Sequence, residues 1–194
     1  MRIAEKTFVS MAIIGILLKI FLVTGGTLFI GLSLSALACI YYPLGFFFFN
    51  SIKATKIFKK EAYKGMSILR GIGSVFVGLI LSITLVGILF KILDLEGSGF
   101  MLLTGLSCMS VCVSVLLIKY FRNRKVVFYR NMVFRTVSVW VISLILFLTP
   151  GTTLVKFFYR DNPEYVKAYI EASKNPENKE LQYKAEEIRR GNDH

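Results

Sequence analysis

Three ionisable residues stand together in a chain that is otherwise strongly apolar. They are Lys91, Asp94 and Glu96, within Phe90-Lys91-Ile92-Leu93-Asp94-Leu95-Glu96-Gly97-Ser98-Gly99. Two carboxylates this close can share acid–base work, and a lysine beside them lowers the cost of holding charge in an apolar setting. No histidine or nucleophile accompanies them, so no catalytic residue is nominated. The expectation is an outer-face ion cluster of Lys91, Asp94 and Glu96. Lys19 ends an earlier apolar run as Lys91 ends its own. Its long stem can lie in lipid while the ammonium reaches the headgroups, which predicts an interfacial anchor. The cysteines Cys39, Cys108 and Cys112 all fall inside apolar runs, and the one histidine is His194. A metal site would need further soft ligands, so neither a metal nor another cofactor is expected.

The elements that position these residues are membrane spans. Of 194 residues, 55% are hydrophobic, well above a soluble domain. Apolar runs occupy residues 7–23, 27–49, 71–93, 100–118 and 133–149, against a requirement of about 20 residues to cross the hydrocarbon. The first is read as a retained span, because no clean cleavage site follows it. The pairs 7–23 with 27–49 and 71–93 with 100–118 are joined by short glycine-rich turns and predict antiparallel hairpins. Two stripes of small residues, Thr27-Gly31-Ser35-Cys39 and Ser74-Gly78-Ser82, predict close helix packing. Tyr41, Tyr42 and Phe46 to Phe49 suggest an interfacial aromatic belt.

The formal charge is +12. From Thr152 onward eight Lys/Arg balance eight Asp/Glu, so the whole excess belongs to the membrane part. It concentrates in the connections 50–70 and 119–135. That is the signature of cytoplasmic loops rather than of a nucleic-acid-binding face. Helical spacing in the first connection suggests a short surface helix. The N-terminus is then cytoplasmic, and the two glycine-rich turns lie outside. A fifth span at 133–149, extended by 152–158 past Pro150, carries the tail to the outside. The alternative is four spans with a cytoplasmic tail. Asn162-Pro163-Glu164 and Asn175-Pro176-Glu177 each look like a helix start. The fold class is therefore all-α: a multi-pass helical membrane protein with a duplicated two-helix hairpin, a fifth span and a short helical C-terminal tail. Its parts are 1–70, 71–131, 132–158 and 159–194.

The duplication aligns Lys19 with Lys91 at an offset of 72 residues and Gly31-Leu32-Ser33 with Gly105-Leu106-Ser107 at 74. This implies a turn region two residues longer in the second copy. Phe90-Lys91-Ile92, Gly97-Ser98, Met101-Leu102 and Gly105 resemble the membrane hairpin of GldL-type proteins. Those are inner-membrane components of gliding motility and type IX secretion in Bacteroidota. The resemblance implies kinship with a proton-driven motor stator. Asp94, Leu95 and Glu96 replace that family's His-Trp-Pro. The family's motor glutamate has no counterpart, because residues 100–118 contain no acid.

The reading is a non-catalytic bacterial inner-membrane protein. It would be a scaffold or accessory subunit of a membrane complex, GldL-like without the motor glutamate, with a periplasmic tail. Its partners would be the lipid bilayer and another membrane or periplasmic protein, or a second copy of itself, and not nucleic acid. The alternative is a small transporter or channel. It would need ionisable groups at mid-membrane, and only Lys19 and Lys91 are candidates.

Overall fold

The computed structural model describes residues 2–50, 52, 59, 67–122 and 127–191. All the regular secondary structure in these residues is helical. In order, the helices are α1 (Arg2–Ile20), α2 (Gly26–Phe49), α3 (Ile68–Ile92), α4 (Ser98–Arg122), α5 (Val127–Leu148), α6 (Gly151–Phe158), α7 (Pro163–Lys174) and α8 (Lys179–Gly191). The expected surface helix in residues 50–70 lies mostly outside the described residues.

Among the described residues, four helices, α2 to α5, are long and apolar enough to cross a membrane. Only 17% of the most apolar stretch of α5 is buried within the protein, so its remaining apolar surface needs lipid as solvent. The chain is a helical membrane protein. The fifth apolar run, placed at 133–149 from the sequence, is the longer helix α5, so Arg130 and Arg135 lie in a helix and not in a loop. Helix α1 is not one of these four, and it carries Arg2, Glu5, Lys6 and Lys19 within 19 residues.

The centre of the bundle is α3, which packs against α2, α4 and α5, while α1 packs against α2. Close approach is set by glycines. A Cβ on Gly45 would lie 2.8 Å from the Cα of Gly78, and one on Gly78 would lie 2.7 Å from the Tyr41 carbonyl oxygen. The stripe Ser74-Gly78-Ser82 is thus a buried packing face, as expected. The stripe on α2 is not. Thr27, Ser35 and Cys39 are exposed and Gly31 faces open space. The buried face of α2 is Ile30, Ser33, Leu34, Leu37, Ala38 and Tyr41. The aromatic group divides as well: Tyr42 is exposed, whereas Tyr41, Phe48 and Phe49 are buried.

The two hairpins repeat at a single offset of 72. Leu22 and Asp94 both adopt left-handed backbone, with φ of 58° and 52°, and Gly25 and Gly97 follow with 92° and 74°. The Val23 N–H bonds the Leu18 carbonyl at 2.8 Å, and the Leu95 N–H bonds the Phe90 carbonyl at 2.9 Å. Both are the six-residue closure that ends a helix on a left-handed residue. Further along, Gly15 meets Ile30 as Gly87 meets Leu102. The turns are therefore equal in length, and the offset of 74 is a coincidence of similar tripeptides.

Beyond Pro150 the chain does not continue α5 but starts α6. Asn162 caps α7 by accepting from the Tyr165 N–H at 3.0 Å, as its sequence predicts. The second Asn-Pro-Glu does not start a helix. Asn175 ends α7, and α8 is capped three residues later, where Asn178 Oδ1 accepts from the Glu180 N–H at 3.1 Å. Val155, Tyr165 and Ala185 form a small second core with Val166, Tyr169 and Ile188 around it.

Candidate functional site

The tail sits on the end of the bundle that carries both glycine-rich turns, and its contact residues include those singled out for chemistry. A helix end leaves carbonyls without partners, and cations there are favourable. At the end of α3, Lys19 Nζ donates to the Ile92 carbonyl at 3.1 Å. At the matching end of α1, Arg160 Nη2 donates to the Ile20 carbonyl at 2.9 Å. These two carbonyls are equivalent in the repeat. One is capped from the neighbouring hairpin and the other from the tail.

Lys19 was expected among lipid headgroups. It is instead only 6% exposed, with its ammonium 5.1 Å from the Phe158 ring centre and 4.9 Å from that of Tyr159. Both distances are within the reach of a cation–π contact. Lys19 thus ties the first hairpin to α3 and to the start of the tail.

Asp94 also departs from the expected cluster. Its left-handed turn position aims the carboxylate at α7, where it accepts from the Tyr165 hydroxyl at 3.0 Å and the Tyr169 hydroxyl at 2.9 Å. The Asp94 carbonyl accepts from Arg189 Nη1 on α8 at 3.2 Å. Burial, and then the negative charge of Asp94, push both phenol pKa values above the usual range. Both phenols stay protonated as donors. Lys91 makes no ion pair with Asp94 or Glu96. Its ammonium lies toward Gly151 at the start of α6, and Glu96 is exposed. The structure therefore brings Asp94 together with the tail and leaves Lys91 and Glu96 beside that contact. The turn 94–99 and helices α7 and α8 enclose an open cleft of about 500 Å³. Tyr165, Tyr169, Gln182, Glu186 and Arg189 line its far wall.

At the opposite end of the bundle, the structure adds a group that sequence reasoning missed. Glu5 of α1 accepts from Arg135 of α5 through Nε at 2.6 Å and Nη2 at 2.9 Å. Tyr41 of α2 donates to the same carboxylate at 2.5 Å. The guanidinium lies 4.8 Å from the Phe48 ring centre. Beside it, Arg70 Nε donates to Asn50 at 2.9 Å and stacks 4.0 Å from the Phe128 ring centre. These contacts place the N-terminal part of α1 with the basic helix ends. A signal was present in the sequence: Glu5 is the only carboxylate before Glu61 and lies in an apolar helix. Charges in such settings are paired.

Among the described residues, no buried side-chain nitrogen or oxygen lacks a partner. No group of three His, Cys, Asp or Glu among them could hold a metal ion. Comparison of the chain with protein-family models, curated proteins and solved structures finds no match.

Proposed function

We propose that this chain is a non-catalytic scaffold or accessory subunit of a membrane complex, and that its docked tail is the platform for the partner. One observation carries this reading: the polar groups that could have served a reaction or an ion path are used to tie helices together. Lys19 and Asp94 hold the tail against the two hairpin turns, and Glu5 and Arg135 close the other end. The tail keeps an exposed face, with Tyr183 69% exposed on α8. Aromatic side chains are favoured anchors in partner contacts.

We further propose a bacterial cytoplasmic membrane with α1 as the fifth span, the N-terminus and basic helix ends cytoplasmic, and the tail periplasmic. Arg70, Arg122 and Arg130, at described helix ends opposite the tail, support this orientation. Kinship with GldL-type hairpins without motor activity is compatible with the same reading.

The test is particle mass in mild detergent for the wild-type chain and Tyr183→Ala. The expected result is an assembly larger than one chain that shrinks on substitution. A lone chain in every preparation, or solute flux into liposomes that depends on the protein, would overturn the proposal.

A further inference from the structure

The bundle carries a groove on its side at the end away from the tail. Helix α1 packs against α2 and α6, and α5 against α4, α3 and α2, leaving a gap between the two outer helices. The Glu5–Arg135 pair bridges this gap. Glu5, Lys6, Val9, Ser10, Arg130, Asn131, Phe134 and Arg135 enclose a space of about 600 Å³.

The charges in the groove do not balance. Three cations face one carboxylate there, a net of +2. Glu5 is engaged by Arg135, which leaves Lys6 and Arg130 as the uncompensated cations, and both are exposed. Next to them the wall is apolar: Val9 is 42% exposed and Phe134 74%. Ile13, one turn beyond Val9 on α1, continues that surface at 54% exposure. Two cations with the Ser10 hydroxyl and the Asn131 amide, beside exposed apolar side chains, match the parts of one molecule. The phosphate would meet Lys6, Arg130 and Ser10, and an acyl chain would lie along Val9, Ile13 and Phe134. Basic pockets between membrane helices take acidic headgroups by this combination. A free anion would gain nothing from the apolar wall.

We propose that this groove is a binding site for an acidic phospholipid, which links α1 to α5 at the end of the bundle opposite the tail. The experiment is native mass spectrometry of the full chain in detergent, titrated with phosphatidylglycerol or phosphatidylcholine. Glycerol 3-phosphate serves as a soluble competitor. The expected result is a clear preference for phosphatidylglycerol, unaffected by millimolar glycerol 3-phosphate. Lys6→Gln with Arg130→Gln should lower that affinity by roughly tenfold to thirtyfold, from about one charge contribution per cation. Lys6→Arg with Arg130→Lys should keep the preference and shows that the positions tolerate change. Equal binding of the two lipids, full retention of phosphatidylglycerol by the double glutamine variant, or displacement by glycerol 3-phosphate would each overturn the proposal.

Discussion

Replacing Arg135 with Met leaves the Glu5 carboxylate, whose side chain is 12% exposed, with the Tyr41 hydroxyl as its remaining donor. Replacing Glu5 with Leu strands the guanidinium, which is 19% exposed on its side chain. That cation keeps the Asn131 carbonyl at 3.4 Å and the Phe48 ring at 4.8 Å. Removing one partner of a buried pair costs about 3–5 kcal/mol. The compensating contacts put Glu5→Leu near the lower figure and Arg135→Met near the upper. At about 2–4 °C per kcal/mol for a chain of this size, the midpoints should fall by roughly 6–20 °C. The triple variant Glu5→Leu, Tyr41→Phe, Arg135→Met removes the charges and the hydroxyl that would be orphaned. It should return to within about 1–2 kcal/mol of wild type, because apolar packing can replace a buried pair. Thermal unfolding in mild detergent reads all four proteins. Single variants within about 0.5 kcal/mol of wild type, or a triple variant as unstable as the sum of its parts, would refute the reasoning.

Tyr165→Phe with Tyr169→Phe removes both hydroxyl donors to the Asp94 carboxylate. A net cost of about 1.5–3 kcal/mol per hydrogen bond to a charged group should release α7 and α8 to proteolysis while the membrane helices keep their midpoint. The same contact sets a pH dependence. The folded pKa values of these phenols lie above the ordinary 10.0, so their contribution is complete below pH 10 and is lost as pH rises beyond it. Protease sensitivity of the tail should therefore increase above about pH 10 in wild type, and the double phenylalanine variant should lack that step. Gly45→Ala or Gly78→Ala drives a methyl into backbone at 2.8 or 2.7 Å and should cost about 1–3 kcal/mol in unfolding measurements. Gly31→Ala meets nothing within 4 Å and should be neutral or slightly stabilising by the same measurement.

The hairpins were legible because they depend on local signals, namely apolar length and glycine punctuation. Membrane helices have few other ways to arrange an apolar chain. Which face of α2 packs was not legible. Its sequence is apolar nearly all round, so Thr27-Gly31-Ser35-Cys39 and the true inner face looked alike. The second Asn-Pro-Glu misled for a related reason, since Asn178 offers an equally good cap three residues later. Long-range ties are the hardest to read. Glu5 and Arg135 meet across 130 positions, and Asp94 and Tyr169 across 75. Asp94, Lys91 and Glu96 are neighbours in sequence, but the left-handed backbone at Asp94 turns its side chain toward the tail and away from a local pair.

In the proposed orientation the tail and the basic helix ends lie on opposite sides of a membrane, with the tail outside. It can be read by thiol labelling in intact bacterial cells after Cys39, Cys108 and Cys112 are replaced by Ala. A membrane-impermeant maleimide should label Tyr183→Cys without lysis and Lys59→Cys only after lysis. Labelling of Tyr183→Cys only after lysis, or of both positions before it, would contradict the account.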